Sequence, residues 1–282
     1  MVAVGLVQLA PVPGEPADNL ARAYAAAAAA FGEGADLVVL PELAIPGYVS
    51  DPQRARRLAE PAAGPTAQAF QQLARAYRGT VAVGIAERAG DGRPYNSVIV
   101  VDGSGLVSVY RKLHLFDHEK HAYAPGDAGL PVLPLRWGTV GVCICYDVRF
   151  VEVLRLLSLR GAQLVVAPAA WVSGFDSVSH DEHGMSPQAQ SVLLQANLDQ
   201  VAVAAVSQAG AGPGLTFLGG SVLADGYGSL LAGPLSATGP QTRIAELDLA
   251  AVERAQRRSE LITPRLDRRD DVYALAYGGA RW

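Results

Sequence analysis

The sequence predicts an α/β fold made of two sheets with helices on their outer faces. Short apolar runs typical of buried strands alternate with stretches of helical spacing along most of the 282 residues. A β-α-β pattern also occurs twice, since VGLVQL and GADLVVLPE in the first half resemble VGVCIC and GAQLVVAPA in the second. Chance similarity between strands rich in Val and Ala is the alternative explanation of this repeat. With 50% hydrophobic residues, the chain can bury one large core.

The elements of the first half are each marked by a local signal. Asp18 is the expected N-cap of an alanine-rich helix that runs to Ala30 and is closed by Gly32. Residues 102–105, Asp-Gly-Ser-Gly, separate two alternating runs and indicate a hairpin. The predicted elements are strands 4–9, 36–40 and 80–87, a helix at 67–77, and hairpin strands 96–101 and 106–112.

The second half continues the pattern as far as a charged and aromatic tail. No low-complexity linker interrupts the chain, so we predict one domain over residues 1–258 and a tail over 259–282. The predicted strands are 131–135, 139–145, 163–167, 201–207, 221–224, 229–232 and 242–248, and the predicted helices are 151–160, 187–199 and 250–258.

Composition excludes several classes of function. The formal net charge is −4 and no basic run occurs, which argues against binding to nucleic acid or to anionic membranes. The longest apolar segment, residues 24–31, is mostly alanine and too short to span a bilayer, and the N-terminal residues do not resemble a signal peptide. Two cysteines, expected to share one face of a strand, fit neither a disulfide with each other nor a zinc site. We therefore expect a cytoplasmic protein without a metal.

Cys145 is the first candidate for chemistry. An apolar strand stops at this residue, a polar pair follows, and a helical pattern begins at Val151. Such a strand–turn–helix junction is where α/β enzymes place a nucleophile. A free cysteine is more often a small buried apolar residue, and we assign Cys143, in mid-strand, to that class.

Glu42 and Lys112 are the candidates for acid–base and electrostatic roles. Glu42 ends the strand that corresponds in the repeat to the one ending at Ala169, so the thiol and a carboxylate are expected to meet at one rim. Burial would raise the pKa of Glu42 towards neutrality, whereas a solvated turn residue is the alternative. An ammonium at Lys112 would lower the pKa of a neighbouring thiol, although strand-end lysines are usually exposed. These three groups suffice for acyl transfer from an amide without a cofactor.

Four blocks of the chain resemble the carbon–nitrogen hydrolase (nitrilase) superfamily. They are LVVLPELAIPGY, YRKLHLF, HEKHAYAPGD and VGVCICYDVRF, and they occur in the order typical of that superfamily. The resemblance implies a four-layer α-β-β-α sandwich. It also implies that Glu42 is the general base, Lys112 the oxyanion stabiliser and Cys145 the nucleophile, with Glu119 helping to orient lysine and substrate.

The segment after Cys145 bears on the substrate. CYDVRF is similar to the amidase-like branch of the superfamily more than to true nitrilases, in which Trp-Glu commonly follows the cysteine. Arg149 is expected to bind a substrate carboxylate, or alternatively to form a structural ion pair. Tyr48, Tyr146 and Trp171 complete the residues expected at the substrate.

The reaction implied is hydrolysis of a small amide through a cysteine thioester, with release of ammonia. The alternatives are an N-carbamoyl amino acid or amine hydrolase, a nitrilase, and a catalytically silent scaffold protein. The expected partners are a small amide or ureido substrate and further copies of the chain, with the tail 259–282 at the interface of a homodimer or larger homo-oligomer.

Overall fold

Two six-stranded sheets form the centre of the molecule in a computed structural model that describes residues 1–88, 90, 92–212 and 214–282. The first sheet contains β1 (Val2–Gln8), β2 (Leu37–Val39), β3 (Thr80–Glu87), β4 (Tyr95–Asp102), β5 (Gly105–Arg111) and β14 (Gln241–Leu247). The second contains β6 (Val132–Leu135), β7 (Gly138–Val142), β8 (Leu164–Ala169), β9 (Ala202–Ser207), β12 (Val222–Ala224) and β13 (Leu230–Ala232). Their strand orders are β14-β1-β2-β3-β4-β5 and β13-β12-β9-β8-β7-β6.

Helices cover the outer face of each sheet. The helices are α1 (Pro16–Gly32), α2 (Pro52–Leu58), α3 (Pro65–Tyr77), α4 (Glu119–Ala122), α5 (Val151–Leu159), α6 (Pro187–Asp199) and α7 (Leu249–Gln256). α1 and α3 contact the first sheet, whereas α5 and α6 contact the second. The predicted four-layer α-β-β-α sandwich is therefore confirmed.

Side-chain alternation in the central strands explains the layering. In β1, Val4 and Leu6 belong to the core between the two sheets, whereas Val7 packs with α1 residues such as Ala27 and Phe31. All seven residues of β1 are buried. A strand covered on both faces has to be apolar throughout, which is why its sequence reads as a continuous run.

The repeated β-α-β units place corresponding strand ends beside one another. β1 pairs with β2 in parallel, and β7 pairs with β8 in the same way. Beyond β2, the backbone N–H of Glu42 donates to the carbonyl oxygen of Ala169 at 3.3 Å, at the end of β8. The two sheets thus bring their carboxyl ends to one rim, as the repeat predicts.

Several element boundaries differ by a few residues from the sequence-based expectation, and two of these differences change the local interpretation. β7 ends at Val142, because its parallel pairing with β8 ends there and the N–H of Ile144 bonds to the side chain of Asp147 instead. Cys143 and Cys145 therefore do not share a strand face, and Cys145 begins a 3-10 helix. The predicted N-cap at Asp18 is also wrong: α1 starts at Pro16, whose fixed φ suits a first helical turn.

Several short elements lie outside the predicted ones. α2 and α4 have seven and four residues, too few to show a full amphipathic pattern. Two small hairpins are formed by β10 (Ala209–Gly212) with β11 (Leu215–Leu218), and by β15 (Ala276–Tyr277) with β16 (Ala280–Arg281).

The tail folds back on its own domain. Leu275, Tyr277 and Trp282 pack against the hydrophobic cluster that includes α5, and the Arg160 guanidinium lies 4.8 Å above the Tyr277 ring. Arg265 donates to the carbonyl oxygens of Asp199 and Gln200 at the C-terminal end of α6. Packing of residues 259–282 against a second copy stays a prediction, as does the cytoplasmic location. In the described part of the chain, every helix is too short or too polar to cross a membrane.

Candidate active site

A cluster of buried charges lies at the rim where the first sheet ends. Lys112, directly after β5, donates from Nζ to Oε1 of Glu42 at 2.6 Å and to the two carboxylate oxygens of Glu119 at 3.0 and 2.8 Å. Asn96 donates from Nδ2 to Oε1 of Glu42 at 2.7 Å and to Oε1 of Glu119 at 3.2 Å. All four residues are buried. The two carboxylates therefore share one cation and one amide.

The local backbone fixes these side chains at the rim. Lys112 N–H donates to the carbonyl oxygen of Asn96 at 2.9 Å, which continues the pairing with β4 one residue beyond the end of β5. Glu42 follows β2 and crosses Gly84 so closely that a Cβ there would lie 2.4–2.7 Å from backbone atoms of residues 41–43. Gln208 donates to the carbonyl oxygen of Glu42 at 2.8 Å. Glycine at position 84 is thus a condition for the position of the carboxylate.

The carboxylates of Glu42 and Glu119 differ in how many of their oxygens accept hydrogen bonds. Glu119 also accepts the Tyr48 hydroxyl at 3.0 Å and the Phe116 N–H at 2.9 Å. Oε2 of Glu42 is buried and has no hydrogen-bond partner within the described residues. Glu42 therefore keeps an oxygen available for another group, whereas Glu119 is occupied in holding Lys112.

Burial and mutual charge set the ionisation of this cluster. Burial raises the pKa of Glu42 to about 7, an effect that Glu119 strengthens and Lys112 opposes. For Lys112, burial acts to lower the pKa, but the charges of Glu119 and Glu42 outweigh it and the net pKa lies well above its ordinary value. Lys112 is therefore a permanent cation, and Glu42 exchanges a proton near neutral pH.

Cys145 occupies a strained turn beside these charges. Its φ of 47° lies in the left-handed region, which costs a non-glycine residue about 1–3 kcal/mol. Burial raises the pKa of the Cys145 thiol well above its ordinary value, the charge of Glu42 adds to this, and Lys112 opposes it. The expected lowering by Lys112 is thus present but outweighed. The resting group is a thiol, which needs a base to become a nucleophile.

Asp147 holds the turn that carries Cys145. Its Oδ2 accepts the N–H of Ile144 at 2.9 Å and the hydroxyl of Tyr110 at 2.7 Å. Its Oδ1 accepts the backbone N–H of His114 at 3.0 Å and lies 2.8 Å from the ring Nδ1 of the same residue. Asp147 is fully buried. The hydrogen bonds accepted by this one carboxylate therefore fix the strained backbone conformation at Cys145.

A pocket lined largely by apolar and aromatic side chains opens beside Cys145. Tyr146, Arg149 and Trp171 line it, together with Phe116 and Phe175. Tyr48 lies instead behind Glu119, to which it is hydrogen bonded. The structure thus places the eight candidate residues in two adjoining groups: Glu42, Lys112, Glu119 and Tyr48 in the charged cluster, and Cys145, Tyr146, Arg149 and Trp171 at the pocket.

Metal ligands do not assemble at this site. Across the described ranges of the chain, no three His, Cys, Asp or Glu side chains come together in a way that could hold a metal ion. The two glutamates of the rim share Lys112 as their cation. The arrangement offers a base with a pKa near 7 and a fixed positive charge in the buried cluster, next to a thiol that lines the pocket.

Comparison with known proteins identifies the family. Residues 3–257 match the family model described as carbon–nitrogen hydrolase. The chain belongs to the carbon–nitrogen hydrolase family. It is 34% identical over 278 residues to a nitrilase of Pyrococcus abyssi, covering 97% of this chain and 99% of that protein. It is 35% identical over 256 residues to an (R)-stereoselective amidase of Pseudomonas sp., covering 90% and 88% of the two chains.

A solved structure of a carbon–nitrogen hydrolase relative is similar over nearly the whole chain. The amidase from Nesterenkonia sp. AN1 superposes with a TM-score of 0.80 and 26% identity, covering 96% of this chain and 98% of the other. That structure, a glutamate-to-glutamine variant, shows the product of Michael addition of acrylamide at the active-site cysteine. Another variant of the same amidase carries the acetamide moiety of fluoroacetamide on that cysteine.

Several residues of this carbon–nitrogen hydrolase site were not identified from sequence. Asn96 was detectable in principle, because the predicted hairpin pairs the start of β4 with the end of β5 and so places Asn96 opposite Lys112. Asp147 was recognised as polar but not as the carboxylate that fixes the turn. Phe116 and Phe175 come from irregular segments, where no periodicity indicates which side chains converge.

Proposed function

We propose that this chain hydrolyses the carbon–nitrogen bond of a small amide through a thioester on Cys145 and releases ammonia. The observation that carries the proposal is the juxtaposition of a buried Glu42–Lys112–Glu119 cluster with a thiol that faces a pocket. Family membership and the covalent cysteine adducts of the Nesterenkonia amidase support it. Glu42 acts as general base, Lys112 and the backbone N–H of Tyr146 bind the oxyanion, and Cys145 is the nucleophile.

The first half of the reaction forms the acyl-enzyme. Glu42 accepts the proton of the Cys145 thiol while sulfur attacks the amide carbon, so that no free thiolate has to form in the resting site. A base with a pKa of about 7 suits this transfer at neutral pH. The negative charge that develops on the carbonyl oxygen is stabilised by Lys112 and by the N–H of Tyr146, each contributing about 3–4 kcal/mol if well placed.

The second half regenerates the enzyme. As the tetrahedral intermediate collapses, the carbon–nitrogen bond breaks and Glu42 returns its proton to the leaving nitrogen, which departs as ammonia. Glu42 then takes a proton from water, whose oxygen attacks the thioester carbon. The carbon–sulfur bond breaks, sulfur regains a proton from Glu42, and the carboxylic acid leaves. One water is consumed for each ammonia released.

The substrate distinguishes this proposal from its alternatives. Ammonia release is measured with matched panels of simple amides, N-carbamoyl amino acids and amines, and nitriles. Ammonia from simple amides alone is the expected result. Carbon dioxide accompanying the ammonia would indicate a ureido substrate, and turnover confined to nitriles would indicate a nitrilase.

A covalent assay tests whether the thiol is active at all. Intact-protein mass spectrometry after brief treatment with iodoacetamide should show one added group, located on Cys145 by peptide mapping. Cys143 is fully buried and serves as the internal control. An inert Cys145, together with no ammonia from any panel, would favour the catalytically silent scaffold.

A further inference from the structure

The pocket beside Cys145 is walled by aromatic rings. Phe116, Tyr146 and Phe175 meet edge to face, with ring centroids 5.3 Å apart for Phe116–Tyr146, 5.4 Å for Phe116–Phe175 and 6.1 Å for Tyr146–Phe175. Trp171, which is 4% exposed, lines the same pocket. Such walls favour an apolar or uncharged group, because a charge placed between them loses its hydration.

Arg149 could reverse this preference for uncharged groups, because a free guanidinium would bind a carboxylate. Among the described residues that line the pocket, it alone carries a formal charge. Its guanidinium already has two partners within the protein: Nη2 lies 3.5 Å from Oδ1 of Asp176, and Cζ lies 4.8 Å from the ring centroid of Phe175. The guanidinium thus already interacts with a carboxylate and with the face of an aromatic ring.

We propose that Asp176 makes this pocket select uncharged acyl groups by neutralising Arg149. Asp176 acts as a positioning residue, through Arg149, and is not itself a catalytic residue. The inference rests on the proposed amide hydrolysis and narrows its substrate class. Amides of neutral acids are hydrolysed in preference to amides whose acyl chain ends in a carboxylate.

The environment of Asp176 explains why a substrate carboxylate does not displace it. Oδ2 of Asp176 is buried and finds no hydrogen-bond partner in the part of the chain that the structure describes. Asp176 therefore pairs only with Arg149 among the described residues, through Oδ1. Its negative charge would repel a second carboxylate brought to the same guanidinium.

Gln188 adds a polar group without charge to the pocket. Gln188, which is 8% exposed, lines the pocket from the first turn of α6, and its Oε1 is also buried without a partner among the described residues. A side-chain amide recognises an uncharged donor or acceptor on the acyl chain. Gln188 and the paired Arg149 therefore both favour a neutral substrate.

The test compares two amides that differ only at the end of the acyl chain. Pentanamide ends in a methyl group, and the monoamide of glutaric acid ends in a carboxylate on a chain of equal length. The ratio of kcat/KM values for the two is measured by ammonia release. We expect the wild type to favour pentanamide by about 100-fold, and Asp176→Asn to shift the ratio towards the monoamide by about tenfold, through a lower KM for the monoamide.

Two controls separate charge from folding. Asp18→Asn removes the same charge from the exposed first turn of α1 and should leave the ratio as in the wild type. The double variant Asp176→Asn/Arg149→Gln should lose the gain for the monoamide, because the released guanidinium is then gone. A change in kcat that is equal for both substrates would indicate a merely structural role and would overturn the proposal.

A second measurement does not depend on turnover. Iodoacetamide and iodoacetate alkylate a thiol by the same displacement of iodide, but only iodoacetate carries a negative charge. The wild type should react with iodoacetamide much faster, and Asp176→Asn should shift the ratio of rates towards iodoacetate by about tenfold. An unchanged ratio would overturn the role of Asp176 even if no amide is turned over, whereas a shifted ratio without amide hydrolysis would refute only the proposed function.

Discussion

Glu42 follows β2 of the first sheet and Cys145 follows β7 of the second, yet their surroundings are opposite. Glu42 lies in a sealed cluster in which Lys112 and Asn96 bond both carboxylates, and it is fully buried. Cys145 is partly exposed and faces a pocket formed largely by rings from irregular segments. One half of the rim, the charged half, is the network of Glu42 and Lys112 with their partners. The other, the pocket half, is Cys145 with the pocket beside it.

This contrast shows how the two tasks of such a site are divided. Proton transfer requires a base with a tuned pKa, and burial in a fixed network supplies it. Substrate choice requires a surface that can differ without disturbing the base, and loop side chains such as Phe175 supply that. The division predicts that substitutions in the charged cluster affect both rate and stability, whereas those at the pocket affect specificity.

Replacing Lys112 with Met breaks the charged half most severely. Two carboxylates would remain buried without their cation, so we expect a loss of about 3–5 kcal/mol in the free energy of unfolding at pH 8. Loss of the oxyanion contact should lower kcat by about 10²–10³-fold. Urea denaturation and ammonia release measure the two effects.

The pH dependence of that stability loss identifies its cause. Without Lys112 the pKa of Glu42 rises further above its unfolded value, so the folded state is penalised increasingly as pH rises above about 4.5. The deficit should therefore be smaller at pH 5.5 than at pH 8. Lys120→Met, an exposed position in α4, is the matched control. An equal deficit at both pH values would contradict the electrostatic explanation.

The charged half was largely predictable from sequence, and the reason is physical. Glu42 and Lys112 end regular strands, and the repeat places the carboxyl end of β2 next to that of β8. Strand ends can be read from runs of apolar residues, because burial on both faces leaves no polar position until the strand stops. The position of polar residues after such runs made Glu42 and Lys112 candidates. Their predicted roles as base and oxyanion stabiliser came from the resemblance to the superfamily.

The pocket half was much less predictable. β7 ends three residues before Cys145, and the turn between them depends on the Asp147 side chain taking over a backbone hydrogen bond. Phe116 and Phe175 have no periodic neighbours, and Asp176 pairs with Arg149 across 27 residues. Contacts of this kind are decided by the three-dimensional path of loops, so the sequence left both roles of Arg149 open. The structure shows the ion pair and places Arg149 at the pocket.

The ionisation of Glu42 predicts how the reaction rate depends on pH, with a smaller effect than the loss of Lys112. The active form of the base is the carboxylate, and burial raises its pKa to about 7. We therefore expect kcat/KM to rise with pH, from about one tenth of its maximum at pH 6 to a plateau above pH 8. A rate that is constant between pH 5.5 and 8 would contradict this role.

Glu119 should shift that profile. Its charge contributes to the raised pKa of Glu42, so Glu119→Gln should move the inflection to lower pH even if the maximal rate falls. Glu33→Gln, at the exposed end of α1, removes an equal charge elsewhere and should not move the inflection. The pH profiles of kcat/KM for the three proteins measure the difference.

The smallest effect on rate is expected from a substitution at Asp147, which holds the turn that carries the Cys145 thiol. Asp147→Asn keeps the size of the side chain but replaces one of the two acceptor oxygens that serve Ile144, Tyr110 and His114. The turn should loosen, and both kcat/KM and the rate of Cys145 alkylation by iodoacetamide should fall about fivefold, because the sulfur is less well oriented. Asp181→Asn, which disturbs a comparable carboxylate in an exposed loop, should leave the alkylation rate unchanged. If Asp147→Asn lowered stability but not alkylation, the strained φ at Cys145 would be maintained by packing alone. The pocket half would then be as rigid as the charged half, without needing a buried carboxylate of its own.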